Sequence, residues 1–215
     1  IMGYTQKSRL PELVKGRFKT VVYNEETVNE LGRLSKKMKK RVSVHIKAET
    51  GNNRQGITKH QLLAFARLIQ GWEYLDLEGI GTHFANIEDI TLRSAQIGLT
   101  GYPAQQLKSF LAMIRMLEKN GVTIPLVHAA NSAAALLFPE THFSLVRAGL
   151  SLYGMWPSKS TEKYAKQLHQ GIELIPAINW KTCVAQIKII PKGSYISYGR
   201  TYKTRRETRL AIRSE

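Results

Sequence analysis

The stretch Val42-Ser-Val-His-Ile-Lys-Ala-Glu-Thr-Gly-Asn-Asn-Arg-Gln-Gly-Ile-Thr-Lys-His-Gln61 contains a strand, a loop and the start of a helix. Val42–Lys47 is a short apolar run and reads as a strand. Thr58-Lys-His-Gln61 is a capping box, and the helix behind it buries Leu62, Ala66 and Ile69. The same alternation extends in both directions. Upstream, Thr20–Tyr23 reads as a strand, and Asn24 caps a helix with Val28, Leu31, Leu34 and Met38 on one face. Downstream, Leu77–Phe84 is a third strand. Pro103 then opens a helix whose stripe of Leu107, Phe110, Ile114 and Leu117 ends at Gly121. Thr123–His128 and Phe143–Arg147 supply two further strands, with a short helix from Ser132 between them. Repeated βα units imply an α/β fold around a parallel sheet, either doubly wound or a barrel.

The pattern changes after Tyr153-Gly-Met-Trp-Pro157. Residues 158–171 form a polar, Lys-rich linker. From Ala177 to Ile190 β-branched residues alternate with polar ones and no helix follows, which signals antiparallel strands. The expected organisation is an α/β domain over 1–157, the linker over 158–171 and the start of a β domain over 172–215.

Composition narrows the function. A 215-residue chain with 43% hydrophobic and 22% charged residues is an ordinary globular protein, which excludes disorder and collagen-like structure. The single cysteine, Cys183, rules out an intramolecular disulfide framework and fits a reducing, cytoplasmic setting. No apolar run approaches the roughly 18 residues of a membrane span. The net charge of +16 invites a nucleic-acid partner, but its distribution argues otherwise. Residues 1–41 carry a net +7, residues 158–215 a net +8, and residues 42–157 only +1. Neither basic run, Lys36-Lys-Met-Lys-Lys-Arg41 or Lys203-Thr-Arg-Arg206, is interleaved with aromatics, so nucleic acid is disfavoured.

In a barrel, chemistry-bearing groups sit just past the C-terminal ends of the strands. Those places hold Lys47 with Arg54, then His83, then His128 with Asn131 and Ser132, then Arg147 with Gly149 and Leu150. Asn131-Ser132 opening a helix and the Gly149 turn present backbone N–H groups suited to phosphate, although Asn131-Ser132 taken in isolation reads first as a simple cap. No phosphate-binding glycine motif of nucleotide enzymes occurs, and no Cys/His spacing suits a metal.

Five ordered segments then carry a resemblance: His45–Gly56, Gly81-Thr-His-Phe-Ala85, His128-Ala-Ala-Asn-Ser-Ala-Ala134, Val146–Gly154 and Ser197-Tyr-Gly-Arg-Thr-Tyr-Lys203. In order and spacing they resemble alanine racemase. The resemblance implies a (β/α)8 TIM barrel, incomplete here at its first strands, followed by a mostly antiparallel β domain. It implies a pyridoxal 5'-phosphate enzyme that interconverts L- and D-alanine, with serine as an alternative substrate, for peptidoglycan synthesis. It further implies a homodimer with shared active sites.

By the same resemblance Ser132, Gly149 and Leu150 hold the cofactor phosphate, with Asn131 beside it. Arg147 faces the pyridine nitrogen, His83 lies against the ring and is linked to Arg147, and Arg54 binds the phenolic oxygen and orients the substrate carboxylate. Lys47 corresponds to a carbamylated lysine, and Tyr202 to one of two catalytic bases, contributed across the dimer. The family's cofactor-binding lysine falls upstream of Ile1, two barrel strands and part of a third are missing, and Arg213-Ser-Glu215 interrupts an apolar strand. The 215-residue chain is therefore expected to be a truncated, inactive and poorly folded piece. A non-catalytic pyridoxal-phosphate-binding barrel and, below it, a basic nucleic-acid-binding module are the competing readings.

Overall fold

A computed structural model describes residues 1–88, 97–179 and 181–213, in two units, 1–175 and 176–215. In the first unit helix α1 (Leu10–Lys15) precedes strand β1 (Thr20–Val22). Helix α2 (Glu25–Met38) follows, capped by the Asn24 side chain accepting from Thr27 N at 2.8 Å. Strand β2 (Val42–Lys47) leads to helix α3 (Lys59–Gln70), strand β3 (Leu75–Gly81) and helix α4 (Gly101–Lys119). Strand β4 (Leu126–His128) is followed by helix α5 (Ser132–Leu137).

The four strands pair in parallel and in chain order, β1-β2-β3-β4. A doubly wound sheet would reverse its order at a switch point; a sheet that keeps adding strands on the same side is a segment of barrel wall. One face is covered by the helices, whose Val28, Leu31, Leu62, Ile69, Phe110 and Met113 are buried. The family of folds is α/β, and the barrel alternative holds.

Several local expectations are corrected. Phe143–Arg147 is not a strand: Phe143 takes a left-handed φ of 47°, and the segment meets β4 through Ser144. The Ser144 hydroxyl accepts from Val127 N at 2.7 Å where a ladder bond would form, and Arg147 N donates to Ala130 O. The β4 strand covers only the last three residues of Thr123–His128. At Thr58 the hydroxyl donates to the Gln61 side chain rather than accepting from its amide, so the capping box closes between side chains. The segment read as a linker contains helix α6 (Lys159–Leu168), capped by Ser158 accepting from Thr161 N at 3.0 Å. Thr161 and Ala165 are fully buried on its inner face, which its high lysine content conceals.

In the second unit β5 (Val184–Ile190) pairs antiparallel with β8 (Thr208–Arg213), and β6 (Tyr195–Ile196) pairs antiparallel with β7 (Tyr202–Lys203). Trp180, inside the expected strand, and Ser214-Glu215 lie outside the described residues. Among the described residues no helix is long and apolar enough to cross a membrane.

Candidate active site

A parallel sheet aims all its strand ends at one edge, so residues remote in sequence meet there. Lys47 ends β2, His128 ends β4, and the chain crosses from Gly81 at the end of β3 through Thr82 to His83. Arg54 rides the loop after β2, whose ends are closed by Glu49 N to Ile57 O and Ile57 N to Lys47 O. Gly56 permits that closure: its φ is +150°, and a Cβ there would lie 2.7 Å from Glu49 N. Lys47, Arg54, His83, Asn131, Ser132, Arg147, Gly149 and Leu150 all line one cavity of about 370 Å3. Tyr202 lies in the second unit, on β7, 56% exposed.

The electrostatics of the cavity are cationic. Burial, then the Arg147 and Arg54 charges, push the Lys47 amine down to about 8, against the raising effect of Glu49. Burial lowers Arg147 to about 10. His83 falls to about 4 through burial and then the charges of Lys47, Arg147 and Arg54, so it is neutral at physiological pH. Three cations that repel one another in a partly desolvated cavity favour an anionic ligand.

The donor set has the matching geometry. Ser132 Oγ accepts from Gly149 N at 2.8 Å and from Ser151 N at 3.3 Å. With both lone pairs engaged, this hydroxyl can act only as a donor to anything else. Gly149 therefore commits its own amide to Ser132 and contributes the turn, leaving the Leu150 amide as an end-of-helix donor. Asn131 caps α5, accepting from Ala134 N at 3.1 Å, and donates to Glu88 Oε1 at 2.7 Å. Asn131 is therefore a cap, as the simpler reading had it, and it also lines the cavity.

Arg147 is anchored rather than free. It donates from Nη1 to His128 Nδ1 at 2.6 Å, and from Nη2 to Thr82 O at 2.7 Å and Ala129 O at 3.1 Å. The expected link from His83 to Arg147 is not among these bonds; His128 takes that place, because its ring faces the guanidinium from the adjacent strand end. Sequence reading placed His128 at a strand end without giving it a role. It missed Glu88 and Gln106 altogether. Buried Gln106 accepts from Ala85 N at 2.9 Å and donates to His83 O at 3.3 Å, fixing the loop that carries His83. Nothing in the helical stripe of α4 marks Gln106 as different from any other polar residue.

The family models for the alanine racemase N-terminal domain and C-terminal domain match residues 1–157 and 177–214. The chain belongs to the alanine racemase family. It is similar to alanine racemase of Methanococcus maripaludis, 32% identical over 98% of this chain and 53% of the relative. Alanine racemase 2 of Caldanaerobacter subterraneus is 34% identical over 98% and 51%. Among solved structures, alanine racemase of Clostridium difficile 630 superposes with a TM-score of 0.77 at 30% identity, covering 98% of this chain and 52% of that one. The Bacillus anthracis alanine racemase with bound L-Ala-P gives 0.76 at 31%, over 98% and 52%. The chain spans about half the length of the curated relatives it matches. The alanine racemase family is pyridoxal-phosphate dependent, and the cavity's cations and donor-only hydroxyl fit a phosphorylated, anionic cofactor.

Proposed function

We propose that this chain carries the cofactor-binding part of a cytoplasmic alanine racemase, interconverting L- and D-alanine for peptidoglycan synthesis. The observation that supports this reading furthest is the convergence of Arg54, Arg147 and the Ser132 hydroxyl on one cavity, with Lys47 beside Arg54. Pyridoxal phosphate bound there supplies a sink for the electron pair left when an amino acid loses its α-proton. Ser132 and the Gly149–Leu150 turn would hold its phosphate, beside Asn131. Arg147 would face the ring nitrogen as a donor that keeps its own proton, which leaves that nitrogen unprotonated and tempers the electron sink. His83, neutral, would lie against the ring. Arg54, exposed at the cavity, would hold the phenolic oxygen and orient the substrate carboxylate.

Racemisation needs two bases on opposite faces of Cα. In a head-to-tail homodimer Tyr202 would supply one of them to the partner's site. Lys47 suits carbamylation: its lowered pKa raises the share of neutral amine, which attacks carbon dioxide and loses a proton to give an anionic carbamate. The carbamate replaces repulsion of Arg54 with attraction.

The protein made from its full reading frame is expected to convert L-alanine into D-alanine, read with a D-amino-acid oxidase assay, and to require pyridoxal phosphate. Cofactor binding without loss of chirality at Cα would overturn this in favour of a non-catalytic binding barrel.

A further inference from the structure

Four side chains lead from Arg147 back along the sheet to Lys19, just before β1. His128 Nε2 lies 2.9 Å from His45 Nδ1, and His45 Nε2 lies 3.0 Å from Glu78 Oε2. Glu78 Oε1 accepts from Lys19 Nζ at 2.6 Å. Arg can only donate, so its bond to His128 Nδ1 requires the lone pair there and puts the proton of the neutral ring on Nε2. That proton points at His45 Nδ1, which must accept, so the His45 proton sits on Nε2 and points at the Glu78 carboxylate. The direction of donation is fixed from Arg147 to Glu78. Burial and then Arg147, His45 and Lys47 lower His128 to about 3, so it stays neutral and keeps one acceptor.

The backbone is shaped for this arrangement. His45 and His128 stand on β2 and β4 and meet across β3, which carries glycine at both positions below the rings. His45 pairs in register with Gly79 and His128 with Gly81. A Cβ on Gly79 would come 2.3 Å from His45 Nδ1, and one on Gly81 would come 2.0 Å from His128 Cε1. The ladder also slips beside Glu78: Val44 pairs with Leu77 but His45 with Gly79, so Glu78 is an extra residue in β3. Bulges of this kind re-aim a side chain, and here the re-aimed carboxylate reaches His45.

We propose that His45 and Glu78 are positioning residues that hold Arg147 through His128, by a one-way chain of hydrogen bonds. The chain locks the His128 tautomer, and the locked lone pair locks the guanidinium. Of the five N–H groups of Arg147, the bonds to His128, Thr82 and Ala129 occupy three. The two that remain are held in fixed directions for a ligand. That last consequence rests on the proposed cofactor site; the chain of bonds does not.

Histidine 15N NMR on the holoenzyme and apoenzyme reads the tautomers directly. Wild type is expected to show both His128 and His45 protonated on Nε2 alone, with His128 unchanged between about pH 8 and pH 6. The groups facing His128 are Arg147, His45 and Lys47; those facing His45 are His128 and Glu78, and Lys19 faces Glu78. Glu78→Ala is expected to give mixed tautomers at His45 and to weaken pyridoxal phosphate binding by roughly fivefold to tenfold, as loss of a charge-assisted bond does. Glu78→Gln, which keeps an acceptor, is expected to recover part of both. His45→Asn, smaller and still able to accept, stands in if Glu78→Ala fails to fold, and is expected to weaken cofactor binding less than His45→Ala. A wild-type His128 protonated on Nδ1, or variants with wild-type tautomers and affinity, would overturn the proposal. A protein that binds no pyridoxal phosphate would defeat the cofactor reading, and the tautomers alone would then decide the chain.

Discussion

Acidification from pH 7 to pH 4 is expected to lower the unfolding free energy of the α/β unit by several kcal/mol. His128 and His83 are both lowered on folding, to about 3 and about 4, chiefly by burial. Between those values and the ordinary histidine pKa the unfolded chain binds more protons than the folded one. Stability is therefore unaffected above roughly pH 6.5 and falls as the pH drops through that window. At pH 4 the difference is on the order of 3 kcal/mol for His128 and smaller for His83, which is only partly buried and is screened by water. Glu78, held below the usual carboxylate range first by its bond to Lys19, adds a loss of the same sign at lower pH. Together these are a large part of the roughly 5–15 kcal/mol that holds a domain folded. Urea midpoints of the protein between pH 7 and pH 4 measure the effect. A His128→Gln variant is expected to unfold more readily at pH 7 yet lose less between the two pH values. A midpoint that does not move down to pH 4.5 would mean that neither ring is held neutral.

The acid sensitivity comes from a part of the molecule that the sequence reveals unevenly. The strand ends were legible because a strand–loop–helix unit announces itself through local chemistry: an apolar run, a polar loop, then a cap. Lys47, Arg54, His83, Asn131, Ser132, Arg147, Gly149 and Leu150 could thus be collected by position alone, and all line one cavity. The partner of Arg147 was not legible. His83 and His128 both stand near strand ends, and only the sheet register decides which ring faces the guanidinium. The bulge at Glu78 was hidden for the same reason, since it is a relation between β2 and β3 rather than a property of either. Phe143–Arg147 was misread because its apolar content fits a strand, while Ser144 substitutes a hydroxyl for the ladder bond. The α6 helix was misread because lysines on an exposed face obscure two small buried residues, Thr161 and Ala165. Tyr202 shows a further boundary: a motif marks it in the sequence, while the role proposed for it would need a second subunit to complete it.

Gly81→Ala is expected to damage the site more than its single methyl group suggests. The backbone of Gly81 is ordinary strand, so the cost is steric. The new Cβ would lie 2.0 Å from His128 Cε1 and 2.1 Å from Nδ1, and the ring is 4% exposed, walled in by its neighbours. The ring must turn, and turning breaks its bonds to both Arg147 and His45. Overpacking costs about 1–3 kcal/mol, and each lost bond that leaves a buried polar atom unpaired adds about 1–3 kcal/mol. A loss of roughly 4 kcal/mol in unfolding free energy is the expected result, with cofactor affinity falling because Arg147 loses one of the three partners that anchor it. A double-mutant cycle with His128→Ala separates this cause from a general weakness of β3. Once the ring is gone the methyl group has room, so the two losses should fall short of additivity by about 2 kcal/mol. Additive losses would place the damage in the strand itself and leave the His128 ring without the role assigned to it.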